Sequence, residues 1–597
     1  MRSALLFSLA TAGSLMAARP IHVDDLLAFR RVSDPQPSPD GKWIVYVVTE
    51  VEYADNRTNS DLWIVPTAGG TPRALTTSPR HDRHPRWSPD GQWIVFESNR
   101  GGSFQLYTLP VTGGEARVLT SISTEATTPV WSPDGSHIAF VSAVFPEFSD
   151  KPFAEADALN REKLKSRDSS KVQARVIDQL LYRHWDSWVD DKRQHLFVVP
   201  VTNGIAAGVP RNLTPGNRDA VPTSSTFSAG DEFAFSPDGR EIAHTATPMP
   251  TREEAWSTNH DLWSVNVATG ERSRLTANPA ADGLPKYSPD GRYLAYRAQS
   301  RPGAEADRWQ LFLLDRKSGN SRSLTADFDT SVEGITWNPD GRSLILEAES
   351  AGTKRLWKLG LDGGQPQPLT TTGAAGDASI AGSQLVFTLS RMTHPPDVFT
   401  LPLSGGKPFN LSGANTARLG ELTLPEPESV TVTGAGGTPV QMWILRPPGF
   451  DPKHRHPLVF WVHGGPQGAF MDSWSTRWNA QAWAANGWVL AMPNPRGSTG
   501  FGQKFTDEIS HDWGGKVYDD LMACLAWLEK QPSIDNRRMA AAGASYGGYM
   551  MNWFQGHTDK FKTLVTHCGV YEFASMYGTT EELWHRTIFD WLKNYLR

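Results

Sequence analysis

The chain has 597 residues, 39% of them apolar and 20% charged, with a net charge near −6. That length is too great for one hydrophobic core, so two or more domains are expected. The mild negative charge leaves no basic footprint for nucleic acid or an anionic membrane. Two cysteines, Cys524 and Cys568, exclude a disulfide scaffold and a Cys-rich metal site.

The first twenty residues, MRSALLFSLATAGSLMAARP, combine Arg2, an apolar stretch from Ala4 to about Ala18 and small residues near its end. This reads as a secretory signal over residues 1–18, removed near Ala17–Arg19, and implies a periplasmic or secreted protein. The stretch is short for a membrane span, and no later segment carries 18 uninterrupted apolar residues.

Two phrases then recur. The first is a turn followed by an apolar strand: SPDGKWIVYV (38–47), WSPDGQWIVFES (87–98), WSPDGSHIAFVS (131–142), FSPDGREIAHT (235–245), YSPDGRYLAYR (287–297) and WNPDGRSLILE (337–347). In Pro-Asp-Gly the proline presets φ, the aspartate bonds its own backbone and the glycine accepts a positive φ. The second phrase is strand, tight turn and strand, as in DLWIVPTAGGTPRALT from Asp61. It returns from Gln105, His195, Asp261, Gln310, Arg355 and Asp397, which makes seven copies. Most spacings lie between 42 and 49 residues, the length of a four-stranded propeller blade. Residues 19–425 are therefore expected to form an all-β seven-bladed propeller. The seventh copy replaces Pro-Asp-Gly with SIAGSQLVFTLS, as terminal blades often vary. The long gap before His195 holds an insertion at about 146–190, rich in charge and helix formers, placed to reach a neighbouring domain or line an entrance. The recurring aspartates and tryptophans are structural by default.

After about Glu426 the pattern changes. SVTVTGAGGTPVQMWILRPP reads as an antiparallel hairpin through Gly434–Gly437, and strands are expected at Leu458–Val462, Trp488–Met492 and Leu564–Cys568. YDDLMACLAWLEKQ is a helix whose Leu521, Cys524, Leu525 and Leu528 share one face. Both cysteines lie in apolar runs and are expected as buried free thiols. Apolar strands alternating with helices imply a mostly parallel sheet covered on both faces, an α/β-hydrolase-like domain over 426–597.

Two features there carry chemistry. Gly543-Ala544-Ser545-Tyr546-Gly547 is the G-x-S-x-G pattern of a serine on a sharp strand-to-helix turn, with glycines where a Cβ would collide. Ser545 is the candidate nucleophile. His463-Gly464-Gly465-Pro466 follows a central strand and offers a backbone N–H toward the serine, the second half of an oxyanion hole with Tyr546 N–H. His463 belongs to this loop and is read as shaping it. No metal or cofactor is expected.

The motifs HGGPQGAF, NPRGSTGFGQKF, DWGGKVYDDLMACLAWL and GASYGGYMMNW, with the repeats before them, resemble the prolyl oligopeptidase family of serine peptidases over nearly the whole chain. LLYRHWDSW (180–188) and the export signal lean toward its dipeptidyl peptidase V and acylaminoacyl peptidase branch. The resemblance implies an acyl-enzyme on Ser545, with Tyr546 and Gly465 N–H as oxyanion donors, acting on short peptides admitted by the propeller. It also implies chain order Ser, Asp, His, with the acid two strands after the serine. Only 52 residues follow Ser545, and they hold His557, His567 and His585 with Asp559, Glu572, Glu581, Glu582 and Asp590. None is placed as base or acid, so the hydrolase half reads as incomplete and this chain as inactive. A dipeptidyl enzyme would need a carboxylate for the substrate amine, with Glu147 and Glu155 as candidates. Two other readings stay open: a non-catalytic propeller protein binding peptides or envelope partners, and an esterase of the same fold.

Overall fold

A computed structural model describes residues 18–177, 180, 182–184, 187–188, 191–223 and 231–579. Seven antiparallel sheets follow one another over 31–74, 82–118, 127–212, 233–274, 282–323, 332–368 and 374–410, each meandering from an inner to an outer strand. A single parallel bridge, Lys354 to Ala374, joins the last two.

The repeated phrases have identifiable work. In the first blade Ser38 Oγ donates to Asp40 Oδ1 at 2.6 Å and accepts from Trp43 N at 3.0 Å, while Asp40 Oδ1 also accepts from Lys42 N at 3.1 Å. The glycine of this turn has φ 69° at Gly41, 69° at Gly91 and 71° at Gly135, the left-handed region that a side chain disfavours. The aromatic before the turn stitches blade to blade. Trp87 Nε1 donates to Gln36 O at 2.9 Å, Trp131 Nε1 to Arg86 O at 3.2 Å, and Trp337 Nε1 to Lys286 O at 2.9 Å.

The threonine or serine closing the second phrase returns to the strand that opened it. Thr76, Thr120, Thr214, Thr276, Thr325, Thr370 and Ser412 each accept the N–H of Leu62, Leu106, Leu196, Leu262, Leu311, Leu356 and Val398, at 2.8–3.0 Å. This bond occupies a donor that would otherwise be buried without a partner.

The ring closes by packing. Val32, Ile44 and Tyr46 of the first blade meet Val386, Val398 and Leu411 of the last. Asn415 clasps Arg30 with two 2.9 Å hydrogen bonds, one to its N–H and one to its C=O. Among the described residues no strand is exchanged between first and last blades, since 31–74 and 374–410 each supply all four strands of their own blade.

The insertion departs from the third blade as helix α1 (Phe153–Ser169). It docks on that blade through Asp157, which accepts from Ser123 N at 2.8 Å, and Asn160, which accepts from Phe145 N at 3.1 Å. Farther along, Arg183 donates to Thr579 O at 3.0 Å, so the excursion touches the C-terminal domain.

That domain has one six-stranded sheet built from β1 (Glu428–Thr433), β2 (Pro439–Leu445), β3 (His456–Val462), β4 (Val489–Asn494), β5 (Ile534–Ala544) and β6 (Thr563–His567). Their order is β1-β2-β4-β3-β5-β6, antiparallel across the first two pairings and parallel across the last three. Short helix α2 (Gln503–Asp507) precedes α3 (Lys516–Glu529), whose Leu521, Cys524, Leu525 and Leu528 are buried against the sheet.

One expectation fails. Cys524 is buried, but Cys568 is an exposed free thiol. The apolar run around Cys568 suggests a buried thiol, yet among the described residues β6 has a neighbour on one side only. The expected signal, residues 1–18, lies almost wholly outside the described residues, which begin at Ala18.

Candidate active site

Ser545 stands between β5 and helix α4 (Tyr546–His557) with φ 55° and ψ −117°. A non-glycine residue in such a conformation costs of order 1–3 kcal/mol and persists only where the surroundings impose it. Here they do. A Cβ on Gly543 would stand 2.3 Å from Gly547 O, and one on Gly547 would stand 2.2 Å from Val462 O. On Gly548 it would come within 2.5 Å of Gly569 Cα. The glycines let α4 sit directly on β3 and β5 while the serine takes the corner. Its backbone is held at both ends, Ser545 N donating to His567 O at 3.0 Å and Tyr549 N donating to Ser545 O at 2.9 Å.

Tyr546 opens α4, where a backbone N–H has no intrahelical acceptor. Its side chain points away into the core, 1% exposed, with its hydroxyl donating to Trp513 O at 2.7 Å. The His-Gly-Gly loop lies against the serine. A Cβ on Gly464 would be 3.2 Å from Ser545 Cβ and 2.8 Å from Ala544 O. Gly465 follows at φ 125°, joined to Pro466 by a cis peptide bond. The loop's His463 has its Nδ1 2.8 Å from Gly464 O and its Nε2 2.9 Å from Ser498 Oγ, so it is engaged within the loop and with Ser498. Burial pushes its pKa below the usual imidazole range. Phe470 and Trp461 form an aromatic wall beneath, the His463 and Phe470 rings 5.3 Å apart. Ser498 is the partner that sequence reasoning missed, although its NPRGST motif stood out as a match.

Among the described residues no side chain hydrogen-bonds the Ser545 hydroxyl. His567 is exposed, its ring 5.5 Å from that of Trp478. His557 lies at the far end of α4, roughly 18 Å along the helix, stacked on Trp553 at 4.0 Å. Asp559 is exposed just beyond it, and Glu572 accepts from Ala574 N at 3.0 Å at the start of helix α5 (Phe573–Thr579). His585, Glu581, Glu582 and Asp590 lie outside the described residues. Glu147 pairs with Lys163, and Glu155 with Lys151 at 2.5 Å. No described contact links either glutamate to the residues around Ser545. Among the described residues no group of three His, Cys, Asp or Glu is placed to hold a metal.

The prolyl oligopeptidase family pattern matches residues 474–595, a tricorn protease N-terminal β-propeller domain matches 56–196, and a TolB β-propeller domain matches 233–396. Dipeptidyl-peptidase 5 of Porphyromonas gingivalis is 31% identical over 564 residues, covering 94% of this chain and 80% of that protein. The chain belongs to the prolyl oligopeptidase family of serine peptidases. Dipeptidyl-peptidase 5 of Aspergillus fumigatus is 34% identical over 456 residues, 71% of this chain and 63% of that one. Among solved structures, Pyrococcus horikoshii acylaminoacyl peptidase superposes with a TM-score of 0.75 at 17% identity, over 94% of this chain and 80% of its own. A Mycobacterium tuberculosis puromycin-hydrolyzing peptidase gives 0.65 at 19% identity, over 96% and 82%. These likenesses carry the architecture of a propeller set against an α/β-hydrolase sheet.

Proposed function

We propose that this family member is an exported serine exopeptidase of short peptides, forming an acyl-enzyme on Ser545. The observation that carries this is the strained Ser545 corner with the Gly464–Gly465 backbone packed on it. Attack by the Ser545 oxygen on a peptide carbonyl would place the new oxyanion between Tyr546 N–H and Gly465 N–H, donors fixed before charge develops. The names of the curated relatives favour release of dipeptides, and those of the structural neighbours include acylaminoacyl release. The requirement for a free substrate amine separates the two.

A serine hydroxyl needs a base, and no described imidazole reaches this one. Losing the base in a serine protease costs on the order of 10⁶ in kcat, leaving roughly 10³–10⁴ over water. The 597-residue chain is therefore expected to hydrolyse dipeptidyl and N-acylated chromogenic substrates only marginally. Turnover at ordinary peptidase rates, abolished by Ser545→Ala, would show that His567 or His585 serves as base, and alanine at each would identify which. N-terminal sequencing of envelope protein tests export; an intact Met1 on cytosolic protein would refute it.

A further inference from the structure

The loop 495–502 lies between the two halves of the chain and bonds to both. On the hydrolase side it meets the oxyanion loop: Ser498 Oγ is 2.9 Å from His463 Nε2, and Thr499 N donates to Gly468 O at 3.1 Å. The 2.8 Å approach of His463 Nδ1 to Gly464 O requires a proton on Nδ1. A neutral imidazole has only one N–H, so Nε2 is then the acceptor, and the single Ser498 hydroxyl proton is shared between Pro495 O at 2.6 Å and Nε2 at 2.9 Å. Between Val462 and Pro466 the only side chain is that of His463. The aim of the Gly465 N–H therefore depends on what holds that ring.

Ser498 is itself held from farther away. Thr506 Oγ1 donates to Ser498 O at 3.1 Å and Gly497 N to Phe505 O at 2.8 Å, tying the loop to α2. The propeller grips α2 in turn. Arg301, in the fifth blade, forks onto Asp507 with two 2.9 Å bonds, and Asp307 fixes the same guanidinium at 2.8 Å. Gln503 N donates to Asp329 Oδ1 at 3.0 Å and its Nε2 to Ala306 O at 2.9 Å. Ala351 N, in the sixth blade, donates to Gly500 O at 2.9 Å.

We infer that Ser498 is a positioning residue for the Gly465 oxyanion donor, acting through His463, and that the propeller sets its position through the Arg301–Asp507 pair. The inference rests on the assignment of Gly465 proposed above. Its physical content is a continuous run of hydrogen bonds from an exposed interdomain ion pair to the backbone beside Ser545. Loosening the propeller contact would then loosen the oxyanion loop.

Hydrogen–deuterium exchange on the full chain tests this without requiring turnover. Ser498→Ala is expected to accelerate exchange of the 463–470 amides severalfold, and Ser498→Thr, which keeps the hydroxyl, to restore the parent rate. Arg301→Ala and Asp507→Asn should accelerate 463–470 as well as 495–507. Both sit at a partly exposed site and carry the test should Ser498→Ala fail to fold. In any form with measurable turnover, Arg301→Ala should lower kcat on the order of 10²-fold while leaving KM nearly unchanged, because an oxyanion donor acts only in the transition state. Exchange confined to 300–307 and 503–507 in Arg301→Ala, or unchanged at 463–470 in Ser498→Ala, would overturn the inference. Absence of turnover in every form bears on the catalytic reading alone, since exchange is read independently of it.

Discussion

His195 stands where other copies of the repeat carry Asp61, Gln105 or Asp397, and it shows how one residue is fitted to its site. Its Nε2–H donates to Gly216 O at 2.9 Å and its Nδ1, 2.9 Å from Asn212 Nδ2, accepts that amide's proton. Both bonds are satisfied by the neutral ring, and burial lowers its pKa to about 4. An unfolded histidine titrates near 6.5. Between those values the unfolded chain binds a proton that the folded one refuses, so stability falls as pH drops through 6.5. The penalty, about 3 kcal/mol, is essentially complete by pH 4. His195→Gln keeps a donor and an acceptor but does not titrate. Its unfolding midpoint in urea should therefore fall less than the parent's between pH 7 and pH 4; equal slopes would refute the assignment. At the same scale Ser545 was legible because G-x-S-x-G encodes a steric demand local to five residues. Ser498 was not, because its bond to His463 joins residues 35 apart in sequence.

Among the elements, the closing threonine of each repeat makes the most specific demand. Thr120 Oγ1 accepts from Leu106 N and donates to Gln105 Oε1, both at 2.9 Å, in a buried site. Thr120→Val keeps the shape and strands the Leu106 N–H, at a cost of about 1–3 kcal/mol. Thr120→Ser should recover most of it, and thermal unfolding of the three proteins compares them. The recurrence of Leu-Thr was plain in sequence; its partner, 14 residues back in six repeats and 18 in the third, became visible only once the strands were paired. Strand β6 is the converse case. Only Leu564 is half-buried along it; the other four residues are exposed, Val565 at 49%. An open strand edge with apolar side chains templates association. Val565→Lys is expected to reduce concentration-dependent light scattering without lowering the unfolding temperature; unchanged scattering would locate the association elsewhere. Cys568 was misread for the same reason: an apolar run says that a strand can be buried, not that a neighbour covers it.

For the whole molecule, the proposed unit is a propeller over 19–425 that folds alone. Blade-to-blade cores and the Asn415–Arg30 clasp lie within it. The stretch before the first blade also packs outward, Phe29 against Trp474 with ring centroids 5.0 Å apart. The isolated segment is thus expected to be monomeric and β-rich but less soluble than the full chain. Circular dichroism and sedimentation check this, and helical content beyond α1 and the short helical turns would refute it.

The sequence alone determined the blade count, the turn chemistry of Ser-Pro-Asp-Gly, the change of grammar near Glu426 and the serine corner. Each is a local steric or hydrogen-bonding requirement that repeats or spans a few residues, so it leaves its mark in adjacent letters. The tertiary structure alone decided where the insertion lands. It also decided that Glu147 and Glu155 pair with lysines, and that Arg301 reaches Asp507 across 206 residues. The Arg301–Asp507 pair depends on how the ring of blades is set against the second sheet, and no spacing along the chain records a meeting of surfaces.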